Sequence, residues 1–198
     1  MSKPNIVLMV GATGVGKSFI GKMIAKKKGY GYIDKDTATS PLVERYLAAC
    51  SPTNDSHDRE SAFYKNEVRP LEYQTILAIV EDNIKLGNSV VLTAGFEQEI
   101  IDADYLHSNA QMSRLREQAN IIVVKVRVDS KTLLTRLIKR NEQRDKWKLA
   151  NWDAYVKEVE GLKVAWDESD YTQLVFDNSD MLPVLYELKI EGLIQSIS

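Results

Sequence analysis

The chain has 198 residues, 44% of them apolar and 27% charged, enough apolar material for one buried core, so a single soluble domain is expected. With 26 Lys and Arg against 28 Asp and Glu, the formal charge is -2, which argues against an affinity built on broad neutralisation of a nucleic-acid backbone but leaves room for a local basic groove. Cys50 is the only cysteine, and His57 and His107 are the only histidines. Neither an internal disulfide nor a structural Cys/His zinc site can therefore be assembled, and a cytoplasmic location is expected.

The first predicted element is a strand over residues 5–10, whose apolar run is too short for a leader or a membrane span and leads straight into glycines. Those glycines open Gly11-Ala12-Thr13-Gly14-Val15-Gly16-Lys17-Ser18, a G-x-x-x-x-G-K-S pattern set between a hydrophobic strand and a helical pattern that runs to about Lys28 and stops at Gly29. The spacing has a mechanical reason. Glycines let the backbone wrap an anion with its N–H groups pointing inward, and the following helix adds the positive end of its dipole. Lys17 then supplies a point charge for β- and γ-phosphates, and Ser18 a hydroxyl ligand for Mg²⁺.

A second strand over residues 31–33 ends in Asp34-Lys35-Asp36-Thr37, and a helix is predicted over residues 41–49. In a parallel sheet the carboxyl ends of strands share one crevice with the glycine loop, so both carboxylates face the phosphate region. One can orient Mg²⁺ and the other accept a proton from an attacking hydroxyl, with Asp36 the favoured base; helix or turn capping explains the same residues without a ligand. Residues 51–69 are polar and weakly periodic, as expected of a substrate-covering insertion, and its Arg59 and Arg69 are candidates for holding an anionic or hydroxylated acceptor.

A helix over residues 67–86, closed by Gly87, leads to a third strand at 89–93. That strand ends at Thr93, where many glycine-loop proteins carry an acid that binds Mg²⁺ through water, so metal orientation shifts toward Ser18, Asp34 and Asp36. Beyond it, Gly95 allows close approach, Phe96 offers an apolar wall to the crevice, and Glu97 is a secondary candidate base or a first-turn helix residue. A helix at 108–118, a strand at 120–128 and a helix at 131–140 capped by Asp129 or Ser130 follow. On this last helix Arg136, Arg140 and Arg144 recur at four-residue spacing and continue into a basic stretch, 139–151, that can close as a lid. Arg140 and Arg144 are candidates for the phosphates and Arg136 for the adenine or its phosphates; the alternative is a solvated face pairing with Glu142 and Asp145.

The chain closes with a helix at 152–164, a strand at 173–176, the turn Asp177-Asn178-Ser179 and a helix at 181–195. Asn178 and its neighbours can hydrogen-bond a nucleotide base through backbone groups, although turn formation and helix capping explain the same residues without a ligand. Trp147, Trp152, Trp166 and Tyr155 are expected to pack, Lys146 and Lys148 to be surface charges, and Cys50 to be a structural thiol. Strands alternating with helices predict a mostly parallel α/β sheet covered on both faces.

These residues resemble the P-loop kinase group that includes zeta-toxin-like, polynucleotide-kinase-like and small-metabolite kinases, and more closely the bacterial AAA-type ATP-binding proteins. The resemblance is carried by the glycine loop, Asp34-Lys35-Asp36-Thr37, Val68-Arg69-Pro70-Leu71-Glu72-Tyr73, residues 86–96, Arg144-Asp145 with Lys146 and Lys148, and Asp177-Asn178-Ser179. It implies a three-layer α/β/α fold with a five-stranded parallel sheet of order 2-3-1-4-5, an arginine-bearing lid, and kinase activity with ATP and Mg²⁺. Three functions follow as expectations: transfer of the γ-phosphate to a hydroxyl of a small polar molecule; a polynucleotide 5′-hydroxyl kinase with a channel around Arg59, Tyr64, Lys65 and Arg69; or a nucleotide-gated binding protein or regulatory ATPase.

Overall fold

Strand β1 (Asn5–Val10) is buried at all six positions, which is the physical reason its sequence reads as a continuous apolar run. In the computed structural model, which describes residues 3–142, 145–179 and 182–197, β1 lies at the centre of a parallel sheet. It pairs on one side with β3 (Val90–Thr93) and on the other with β4 (Asn120–Arg127). β2 (Gly31–Asp34) joins β3, and β5 (Thr172–Asp177) joins β4. The order β2-β3-β1-β4-β5 is the one the resemblance implies.

Side chains alternate across β1 and feed two separate cores. Ile6, Leu8 and Val10 point to one face, where they meet Ile76, Leu77 and Val80 of α3 (Arg69–Lys85) and Met112 and Leu115 of α5 (Ala110–Gln118). Val7 and Met9 point to the other. There they meet Ile20 and Ile24 of α1 (Lys17–Lys28), Leu133 and Leu137 of α6 (Ser130–Arg140), and Ile190 and Leu193 of α9 (Pro183–Ser196). Helices thus cover both faces in three layers. Among the described residues no helix is long and apolar enough to cross a membrane.

The differences from the expected elements fall near the carboxyl ends of the strands. Helix α2 (Lys35–Cys50) starts directly after β2, capped by the Asp34 carboxylate, which accepts from the Thr37 N–H at 3.2 Å. Pro41 therefore lies inside the helix rather than at its start, and forfeits one backbone hydrogen bond there. The polar stretch before α3 is not wholly irregular. Tyr64–Val68 forms a π-helical turn that runs into α3, and Tyr64 and Val68 pack with Val43 and Leu47 of α2 in a small third core.

Two short helices, α4 (Tyr105–Ser108) and α7 (Lys146–Ala150), escape the sequence pattern because neither is long enough to show a helical period. Helix α8 (Trp152–Gly161) ends before residue 164 because the chain turns extended to reach the first core: Ala165 donates to the Ile100 carbonyl at 2.7 Å and Trp166 Nε1 to the Glu99 carbonyl at 2.8 Å. The predicted start of the last helix, residue 181, lies outside the described residues.

Candidate functional site

The glycine loop leaves β1 with φ +141 at Gly11, +89 at Gly14 and +97 at Gly16. A side chain at Gly11 would put its Cβ 2.3 Å from the Val126 carbonyl oxygen, so the loop sits hard against β4 and no other residue fits. Its middle is held from outside by two hydrogen bonds, whose donors are joined by a third. Asn178 Nδ2 donates to the Val15 carbonyl at 2.7 Å, Arg136 Nη1 to the same carbonyl at 3.4 Å, and Arg136 Nη2 to the Asn178 carbonyl at 2.9 Å. The Asn178 N–H is taken by the Arg127 carbonyl. Asn178 is buried and its side chain braces the loop, and Arg136 braces it from α6, so both carry a structural duty beside the nucleotide contacts expected of them.

Lys17, the first residue of α1, curls back over the loop, its Nζ donating to the Gly11 and Ala12 carbonyls at 2.6 and 2.8 Å. Burial lowers its pKa to about 8, against the support of the Glu97, Asp36 and Asp34 carboxylates and with Arg140 adding to the lowering. Ser18 Oγ donates to Asp34 Oδ2 at 2.9 Å, and the Tyr32 hydroxyl donates to the same oxygen at 3.0 Å. This approach depends on Gly21, where a Cβ would stand 3.0 Å from Thr93 Oγ1 and 3.2 Å from the Tyr32 ring, so α1 can lie close upon β2 and β3. Thr93, in register with Asp34, is buried and offers a hydroxyl where an acid was the alternative.

Among the described residues no group of three or more His, Cys, Asp or Glu is gathered for a metal. A Ser hydroxyl and one carboxylate beside a phosphate loop instead suit a hard cation that keeps most of its ligands from water and phosphate, as Mg²⁺ does.

A cleft of about 560 Å³ runs from Lys17 and Ser18 past Asp34, Asp36 and Gly95 to Arg59, Tyr64 and Arg69, and is closed on its far side by Arg140, Trp147 and Tyr155. Of the residues expected to hold the acceptor, Asp34, Asp36, Arg59, Arg69 and Gly95 line it and Phe96 does not. Phe96 adopts φ +55, is fully buried, donates its N–H to the Tyr73 hydroxyl at 3.0 Å and packs edge-on against that ring at 5.5 Å. The left-handed turn sends Phe96 into the core and Glu97 into the cleft, which corrects the expected apolar wall.

The end of the cleft away from the glycine loop is organised around two carboxylates, Glu72 and Glu99, that are not among the candidate site residues. Glu72 stands in the buried stripe of α3 beside Tyr73, Ile76 and Leu77, a charge in an apolar row that was itself a readable signal. Its Oε1 accepts from Thr39 Oγ1 at 2.7 Å, Lys35 Nζ at 2.9 Å and Arg59 Nη1 at 3.3 Å, and its Oε2 from the Tyr64 hydroxyl at 2.6 Å. Burial pushes the Glu72 carboxyl upward, but Lys35 and the other donors override it and hold the group below its ordinary range. Lys35 also lies 3.1 Å from Asp36 Oδ1. Glu99 receives Arg69 in a two-pronged pair, at 2.6 and 2.7 Å, while the Arg69 guanidinium lies 4.3 Å from the Tyr73 ring centre.

On the lid side, Arg140 Nε donates to Asp145 at 2.8 Å, Nη2 bonds the same fully buried carboxylate, and Glu142 stands 3.5 Å away. Arg140 thus takes the paired alternative while still lining the cleft. Arg144 lies outside the described residues. Lys148 is no surface charge: its side chain is 18% exposed, 3.7 Å from Asp145 and over the Tyr155 ring. Trp147, expected to pack, is 55% exposed and lines the cleft, whereas Trp152 packs on Tyr155 and Trp166 is buried against Tyr105 and Tyr171. Cys50 is exposed rather than structural.

Residues 6–162 match the model of a family described as an AAA domain. A shikimate kinase of Xanthomonas campestris pv. campestris (strain 8004) is 32% identical over 122 residues, covering 59% of this chain and 64% of that relative, so the match spans less than two thirds of its length. Among solved structures, a shikimate kinase from Bacteroides thetaiotaomicron superposes with a TM-score of 0.56 at 16% identity, covering 99% of each chain. A deoxyadenosine kinase from M. mycoides with bound dATP gives 0.58 at 17% identity, covering 97% of this chain and 98% of that one. At these identities the two structures show a shared fold.

Proposed function

The chain belongs to the AAA domain family, whose model spans residues 6–162, and from that premise we propose that it is an ATP-dependent kinase moving the γ-phosphate to a hydroxyl of a small polar molecule. The observation that carries this reading is the meeting, in one cleft, of Lys17, the Ser18–Asp34 pair and Asp36, with a walled pocket beyond Asp36 on the side away from the loop. A triphosphate lies along the glycine loop, held by inward backbone N–H groups, the start of α1 and the Lys17 ammonium. Ser18 Oγ and Asp34 would hold Mg²⁺, which supplies positive charge to the phosphate oxygens.

Asp36 is half-exposed, in the first turn of α2, and kept in place by Lys35 at 3.1 Å. It takes the proton of the acceptor hydroxyl as that oxygen bonds to the γ-phosphorus. The bond from phosphorus to the β–γ bridging oxygen breaks, and ADP carries away that electron pair. Arg140, which lines the cleft while bonded to Asp145, stabilises the charge on the transferred group. Shikimate kinase and deoxyadenosine kinase among the similar proteins support the reaction class.

The test is transfer itself. Purified protein with ATP and Mg²⁺ is screened against hydroxylated metabolites and 5′-hydroxyl oligonucleotides, with products read by mass spectrometry. ATP consumption is expected to stay near background until an acceptor is added, and a phosphorylated metabolite then to appear. Vigorous hydrolysis without any phosphorylated product would favour a regulatory ATPase, and transfer only to oligonucleotides a polynucleotide kinase.

A further inference from the structure

Resting on the kinase reading, we infer that the acceptor is an uncharged polyhydroxy compound, not a carboxylate or a phosphate ester. The inference comes from how the cations of the acceptor end are already occupied. Arg69 spends both prongs of its guanidinium on Glu99, whose side chain is 8% exposed, and its flat face on the Tyr73 ring. Arg59 divides its two terminal nitrogens between Glu72, 1% exposed, and the Ser40 hydroxyl at 3.0 Å. Lys35 lies between Glu72 and Asp36, and Lys65 pairs with Glu60 at 3.0 Å. Among the described residues these four cations thus face four carboxylates, Glu99, Glu72, Asp36 and Glu60, with Glu72 shared by Arg59 and Lys35.

Guanidinium groups recruited to bind an anionic substrate need donors aimed at open space. Here both guanidinium groups are already neutralised, so an incoming carboxylate would either meet their remaining N–H groups with no net positive charge to hold it or pull an arginine from a buried partner, stranding that partner's charge in a place water does not reach. It would also meet Glu97, which faces the same cleft. Hydroxyl groups carry no such requirement. They can donate to the carboxylate oxygens and accept from donors already in the network without displacing an ion pair. The polar wall of paired charges, closed over by Tyr64 and Trp147, suits a sugar- or polyol-like molecule.

Matched pairs of acceptors test this: glycerol against glycerate, glucose against gluconate, ribose against ribonate, each with ATP and Mg²⁺ and with phosphorylated product measured. The neutral member of the best pair is expected to exceed its acid in kcat/KM by at least about tenfold. Preference for the acid would overturn the inference and leave the kinase reading intact, whereas hydrolysis of ATP with no product from any pair would overturn both. Glu99→Gln, which releases Arg69, is expected to narrow the gap by raising kcat/KM for the acid. An unchanged ratio in folded Glu99→Gln protein would count against the pairing as the source of selectivity, and the wild-type comparison decides the acceptor class in either case.

Discussion

At Lys17 two demands meet: the loop withdraws the side chain from water, and a phosphate chain requires it charged. With a pKa of about 8, lowered first by burial, the free protein holds Lys17 increasingly neutral above that pH, while bound phosphate favours the ammonium. Binding above pH 8 must therefore take up a proton. Triphosphate affinity is expected to fall as pH rises past about 8, by up to about tenfold per pH unit. Calorimetry in two buffers of different ionisation enthalpy will show the uptake directly; flat affinity across this range would contradict it. At Asp36 the expectation concerns turnover rather than binding. Asp36→Asn should reduce kcat by about 10²- to 10⁴-fold with ATP affinity retained, and an unchanged kcat would pass the role of base to Glu97. Lys17, Ser18, Asp34 and Asp36 were legible in the sequence because their spacing is set by a short, local piece of backbone. The direction of Phe96 and the bracing bond of Asn178 were hidden for the opposite reason: the first is decided by a positive φ and the second by a contact across 163 residues of chain.

Helices α2 and α3 are joined through charge as well as through apolar contact. Glu72 is the junction, tying Lys35 and Thr39 of α2 to Tyr64 of the π-helical turn and to Arg59. Glu72→Ala would leave two cations beside an empty, buried hole, and a loss of about 3–5 kcal/mol is expected. Urea denaturation will measure it, and a loss below about 1 kcal/mol would mean that the network relaxes at little cost. The strands and the long helices were legible to within a few residues, because burial on both faces and helical periodicity leave broad marks on sequence. The start of α2 was not, since Pro41 imitates a helix beginning while the true cap, Asp34, also serves the site. A residue that has two structural duties is easily credited with only one.

Across the whole molecule, the sheet brings the ends of β1, β2 and β3 to one edge of the cleft, and α6 to α8 bring the other edge over it. Trp147 is the exposed ring of that second edge, so nucleotide binding is expected to change tryptophan emission, and Trp147→Phe to remove the change. A full response in Trp147→Phe would place the reporter at Trp152 or Trp166 and count against closure at this edge. Topology was legible only through resemblance, because strand order is decided by long-range pairing that periodicity does not record. Arg136 and Arg140 stand one turn apart on α6, the first fastened to the loop at Val15 and the second facing the cleft. Their angular phase is therefore part of the site. One residue inserted between them would rotate Arg140 by about 100° around the helix and point it away from the phosphates with every side chain still present. Asn141, whose φ of +50 ends the helix, closes the segment over which that phase holds. The stretch from Arg136 to Arg140 behaves as a fixed gear between the loop and the far edge of the cleft.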